Sequence, residues 1–154
     1  MPKYLNPETV APPIGRYTHA VEVAPGARTL HISGQVGIGR DGKLAQGFTG
    51  QCTQIWRNIE AILAAADMKL TDLVRVTTFI INPADLGHSR SVRQDSLGDH
   101  RPASSLLVVN GLAGPEYLLE IEAVAAKETK PGPAPTAKSM SRPRITPPKS
   151  KRRR

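Results

Sequence analysis

Apolar residues recur at spacings of three and four from Phe48 through Cys52, Ile55, Trp56, Ile59, Ile62, Leu63 and Ala66. That period predicts a long amphipathic helix with Phe48 near its start. Elsewhere the period is two. Tyr17 to Val23 alternates polar and apolar positions, and Thr29-Leu30-His31-Ile32-Ser33 follows the turn residues Pro25-Gly26-Ala27, a β-hairpin signature. Leu73 to Ile81 is rich in β-branched residues and is expected to form a central strand. Asn82-Pro83-Ala84-Asp85 then supplies an N-cap, a proline at the first helical position and an acid in the first turn. The helix opened there is expected to stop at Gly98. Its apolar positions are few (Leu86, Val92, Leu97), which leaves one side for solvent or for a cleft. Ala103 to Val109 and Tyr117 to Ala125 read as two final strands.

The resulting order, β-β-α-β-α-β-β, is an α+β arrangement with both helices on one face of a sheet. Too few elements remain to cover the other face, so self-association is expected. The stretch Gly34 to Gly42 is too glycine-rich for a helix and ends in an Asp41-Gly42 turn.

Charge changes the picture only once it is located. The chain has 154 residues and a formal net charge of +8. Ten of the 21 basic residues, against one acid, lie from Lys127 onward, leaving eleven basic and twelve acidic residues in 1–126. The domain expected over 1–126 is therefore nearly neutral, and 127–154 carries the basic character. That segment also holds six prolines, with Met140 and Ile145 as its only large apolar residues, so a disordered basic tail is expected. Such a tail would attract polyanions, nucleic acid included, weakly and without sequence choice. A single cysteine excludes an intramolecular disulfide framework and a cysteine-based zinc cage. No apolar run approaches the roughly 20 residues that span a bilayer, and Met1 to Pro7 lacks the apolar core of a secretory signal. A soluble cytoplasmic protein without membrane attachment is expected.

Asn6-Pro7, Ala11-Pro12-Pro13-Ile14-Gly15, Tyr17, Ser33-Gly34-Gln35, Arg57-Asn58-Ile59, Thr77-Thr78-Phe79, His100-Arg101-Pro102-Ala103 and Glu120-Ile121-Glu122-Ala123 occur in this order across residues 6–126. Together they resemble the Rid (YjgF-like, reactive-intermediate deaminase) family. The resemblance implies a chorismate-mutase-like fold, a homotrimer whose sheets form an inner barrel, and clefts between subunits. It also implies hydrolysis of small enamine or imine metabolites to a keto acid and ammonia, with no metal or organic cofactor. An imine carbon is already electrophilic, so such a site needs a carboxylate anchor, a placed water and a proton-transfer group.

By that resemblance Glu120 is the candidate catalytic acid/base, Tyr17 lines the cleft, and Ser33 and Gly34 present a hydroxyl and an amide. The family's anchor is an arginine in a Pro-Ala-Arg-Ser pattern, but this chain reads Pro102-Ala103-Ser104-Ser105. A hydroxyl offers one neutral hydrogen bond where a guanidinium offers a charged fork. The exchange costs on the order of 2–4 kcal/mol, a roughly 30- to 1,000-fold weaker anchor. The resemblance is therefore to a branch lacking the arginine. Arg90, at a cleft-facing position of the second helix, and Arg101, just before Ser104, are candidate replacements; Arg93 reads as solvated.

Other motifs carry less. Gly34, Gly37 and Gly39 run G-x-x-G-x-G with no helix opening behind them, which is not a dinucleotide loop. His19, His31, His88 and His100 are scattered without zinc-site spacing. No G-x-S-x-G turn is present, and Cys52 falls on the apolar stripe of the first helix, where a buried inert thiol is expected. Besides the deaminase, a non-catalytic trimer binding a small acid or a partner protein fits the sequence. An endoribonuclease fits less well, because only the tail supports it.

Overall fold

The computed structural model describes residues 1–128, so the tail expected beyond that point lies outside the described residues. Strands β1 (Lys3–Leu5), β2 (Ala20–Glu22) and β3 (Arg28–Gln35) precede helix α1 (Gly47–Ala65). Strand β4 (Leu73–Ile80), helix α2 (Leu86–Leu97), β5 (Ala103–Val108) and β6 (Leu119–Lys127) follow. Four strands make the main sheet in the order β3-β6-β4-β5, antiparallel except for the β4–β5 pair.

Both helices pack on one face of this sheet, as the hydrophobic period predicts. Cys52, Ile55, Ile59 and Leu63 of α1 and Val92 and Leu97 of α2 join Ile32, Val76, Ile80, Leu119 and Ile121 in a single core. Alternation then sends Arg75, Thr77, Phe79, Glu120 and Glu122 to the opposite face, where Arg75 and Glu122 are exposed. The two helix ends follow local chemistry. Asn82 Oδ1 accepts the Ala84 amide at 3.0 Å, capping a 3-10 turn (Pro83–Asp85) that leads into α2. Gly98 ends that helix at φ 55°, a left-handed conformation that glycine adopts without strain. Among the described residues, no helix is long and apolar enough to cross a membrane.

One pairing departs from the sequence reading. The stretch 17–23 does not form a hairpin with 29–33; β2 instead pairs antiparallel with β1, Tyr4 opposite Val21, in a separate two-stranded sheet. The alternating pattern was genuine, but the partner is a three-residue strand too short to read. Thr18 adds a single bridge to Ala103 at the edge of β5, carrying the 14–17 segment to the main sheet.

Candidate functional site

Two groups of candidate residues emerge, on opposite faces of the sheet. The first lines a cleft of about 550 Å³ between α2, the β5 edge and the segment before β2. Tyr17, Arg90 and Ser104 meet there, joined by Arg16, Thr78, Arg93 and His100. The β4–β5 ladder sets Ser104 beside Val76 and Leu106 beside Thr78, so Ser104 shares the helix-side face with Thr78. The segment bearing Tyr17 is tied down at several points. Asn6 accepts the His19 amide at 2.9 Å and donates to Thr18 Oγ1 at 3.4 Å, while the Thr18 amide donates to the Pro102 carbonyl. Arg16 donates to the Gly98 carbonyl at 2.8 Å and pairs with Asp99 at 2.9 Å, fastening the segment to the end of α2. The ring of His100 donates from Nε2 to the Leu73 carbonyl at 2.7 Å.

The cleft is cationic. Arg16 has Asp99; Arg90 is exposed; Arg93 is half-buried. Nε and Nη2 of Arg93 are closed to solvent and find no hydrogen-bond acceptor among the described residues. Burial, and then the neighbouring Arg16 charge, pull the Arg93 pKa below the ordinary guanidinium value. The sequence reading of Arg93 as solvated is thus corrected. The side chain sits next to Val92 on a helix with little apolar periodicity, and it lines the cleft with Arg16, some 75 positions away in sequence, a juxtaposition that no local pattern reveals.

The second group lies on the open face. Between Ile32 and Gln35 the β3–β6 register shifts: three steps on β3 match two on β6, from Ala123 to Ile121. The bulge contains Ser33 and Gly34, a standard use of an extra residue to re-aim a strand. Gln35 Nε2 donates to the carbonyls of both, at 3.2 and 3.4 Å. Glu120, opposite Phe79, lays its carboxylate over Gly34 so closely that any Cβ at 34 would overlap it. The run-in to β6 is fixed by Gln51, which is buried on α1: it accepts the Leu118 amide at 2.9 Å and donates to the Glu116 carbonyl at 3.0 Å.

Within one chain the two groups do not meet. Leu119 and Ile121 face the helices, so Glu120 faces away from them, whereas Ser104 faces toward them. Arg101 is exposed and lines neither place. Among the described residues no cluster of three His, Cys, Asp or Glu is placed to hold a metal ion. Cys52 is fully buried, and burial pushes its thiol up to about 12, with a contact from Trp56 acting in the other direction. It is an inert packing residue, as its place on the apolar stripe predicts.

Residues 8–127 match the profile of the family described as Endoribonuclease L-PSP. A RutC family protein of Pyrococcus horikoshii is 32% identical over 130 residues, 83% of this chain and all of that protein. A 2-iminobutanoate/2-iminopropanoate deaminase of Dermatophagoides farinae is 31% identical, over 82% of this chain and 98% of its own length. The crystal structure of YyfB from Yersinia pestis, a Rid-family protein of unknown function, superimposes with a TM-score of 0.74 at 36% identity, covering 82% of this chain and 98% of YyfB. With the family profile spanning the whole described domain and the two-helix, mixed-sheet fold shared, the chain belongs to the Endoribonuclease L-PSP family, that of the Rid, YjgF and RutC proteins.

Proposed function

We propose that this protein is a hydrolytic deaminase of small enamine or imine metabolites, acting in clefts completed between the copies of a homotrimer. The observation that supports it most directly is the Glu120 carboxylate held over the Gly34 backbone beside Ser33, an exposed acid/base seat built by a bulge. The relatives named as 2-iminobutanoate/2-iminopropanoate deaminases point to the same chemistry. Glu120 takes a proton from water as the water oxygen bonds to the imine carbon and the C=N π pair moves to nitrogen. That proton is returned to nitrogen, giving the carbinolamine. The hydroxyl proton then passes through Glu120 to the same nitrogen as the C–N bond breaks with its electron pair leaving on nitrogen, and the C–OH becomes a carbonyl as ammonia departs. An enamine first accepts a proton at its β carbon. General acid–base help of this kind contributes roughly 10²- to 10⁴-fold.

The same geometry supports self-association. Glu120 and the Tyr17–Ser104 cleft lie on opposite faces of one sheet, so a single chain offers only half of each site. Leu107 and Val108, 43% and 50% exposed on the free edge of β5, supply apolar surface for neighbouring copies. The branch lacking the strand arginine is part of this reading, with Ser104 in its place.

Imines generated in solution by an amino-acid dehydratase or oxidase test the activity. The expected result is faster release of keto acid and ammonia in proportion to protein, lost about 10²-fold in Glu120→Gln. If wild type leaves the imine lifetime unchanged yet shows a saturable small-acid ligand by thermal shift, the protein is a binding trimer and not a deaminase.

A further inference from the structure

We infer that the anion anchor of this cleft has moved from the β5 strand to helix α2: Arg93 receives the carboxylate of a small 2-oxo- or 2-imino-acid ligand side-on through its Nε and Nη2 donors. The inference deepens the proposed function, resting on it for the identity of the cleft but not on turnover.

Three observations converge. Nε and Nη2 are the two donors of a guanidinium's side edge, set parallel at the spacing of carboxylate oxygens. In Arg93 those two atoms are the ones closed to solvent and without an acceptor among the described residues. Buried donors are nearly always paired, so an orphaned fork on a residue that lines a cleft marks a place for an acceptor supplied from outside. An entering carboxylate meets donors that have no water to lose, and desolvation of the receptor therefore opposes binding little.

The cleft also has a charge to match. Arg16, Arg90 and Arg93 line it, and among the described residues only Arg16 has an acidic partner, Asp99. The strand position facing the same space is Ser104, which carries no charge. A neutral carbonyl would give the Arg93 fork an uncharged acceptor in place of two charged ones, and a cation would be repelled. Entry needs a lining side chain to yield, and Ile14, 91% exposed, is free to do so.

A planar carboxylate and a tetrahedral phosphate can each fill the fork with two oxygens; they are separated by the further oxygens that a phosphate must place in a cleft also lined by Leu86, Leu97 and Leu106. Titration calorimetry on the full chain, with 2-oxobutanoate, its neutral amide and inorganic phosphate as probes, tests the assignment. The expected result is saturable binding of the acid, at least tenfold weaker binding of the amide and of phosphate, and at least a tenfold loss of acid affinity in Arg93→Lys, which keeps the charge and removes the fork. Equal binding of acid and amide by wild type overturns the inference, whether or not any variant folds. So does wild-type acid affinity in a folded Arg93→Lys, or phosphate binding as tight as the acid. An Arg93-dependent acid affinity without imine hydrolysis would overturn the deaminase reading and leave the anchor standing.

Discussion

A methyl group on Gly34 would stand 1.6 Å from Glu120 Oε1 and 2.6 Å from its carboxyl carbon. The two residues belong to neighbouring strands, and the bulge at Ser33-Gly34 is what brings the β3 backbone under the β6 carboxylate. The relationship is one of exclusion: residue 34 lacks a side chain because the space is already occupied by Glu120.

Gly34→Ala should therefore separate stability from activity. What the new methyl displaces is the far end of a flexible side chain, and Gly34 is exposed, so the melting temperature should fall by no more than a few degrees. Glu120 must turn away, and imine hydrolysis should drop by about 10²-fold, nearly as far as in Glu120→Gln. Full activity in a folded Gly34→Ala would mean that the carboxylate's seat over residue 34 is unimportant to the chemistry.

Much of this arrangement was legible in the sequence, for physical reasons that differ from element to element. α1 declares itself because seven of its residues are buried on one stripe, and the stripe is the period. β4 does so because a strand covered on its helix side and flanked by two others selects β-branched residues. Gly98 marks a helix end through its backbone freedom alone. The β1–β2 pairing was hidden because Lys3-Tyr4-Leu5 is too short to show alternation. Arg93 was hidden because it shares the cleft with Arg16 and the segment around it, a juxtaposition across most of the domain that leaves no local trace.

The thiol of Cys52 makes stability depend on alkaline pH. Its folded-state value is about 12, whereas an unfolded thiol titrates near 8.5. Between these values the native state holds a proton that the unfolded state has lost, so stability is complete below about pH 8.5 and declines as pH rises. The slope approaches a tenfold change in the folding constant per pH unit. Cys52→Ala should flatten the decline measured by urea unfolding from pH 8 to 10.5, at the cost of a small cavity. An unchanged slope would assign the alkaline loss to other groups. In native buffer at pH 8, a thiol reagent should label Cys52 only as fast as the chain unfolds.

The free edge of β5 should govern assembly. Leu107 faces away from the helices and is 43% exposed in the single chain. Leu107→Glu would put a charge where a neighbouring copy is proposed to pack, and an unpaired charge at an apolar contact is strongly disfavoured. Sedimentation equilibrium should give a trimer mass for wild type and for a chain ending at Glu128, and a smaller mass for Leu107→Glu. A monomeric wild type would remove the shared cleft from the proposed function.

The basic segment should add polyanion binding and no chemistry. Ten cations from Lys127 onward favour retention on heparin that falls steeply with salt, since each neutralised phosphate or sulfate releases counterions. Ending the chain at Glu128 removes nine of the ten, and retention should disappear while imine hydrolysis stays the same. Loss of hydrolysis in that shortened protein would join the segment to the site.

Ser104→Arg tests whether the cleft has room for two anchors. The β4–β5 register places residue 104 on the face of Thr78, so a new guanidinium there would enter a space already lined by Arg16, Arg90 and Arg93. A single carboxylate accepts one side-on fork, and the Arg93 charge is already opposed by Arg16. Ser104→Arg alone should therefore change 2-oxobutanoate affinity by less than about threefold, with a lower melting temperature from the added repulsion. In Arg93→Gln, which should lose tenfold or more of that affinity, adding Ser104→Arg should recover most of what was lost. The two positions would then be alternatives for one function, visible as strong non-additivity in the double-mutant cycle. Additive effects, with Ser104→Arg improving affinity equally in both backgrounds, would show that residues 93 and 104 act independently on different parts of the ligand, and that they are not alternatives for one function.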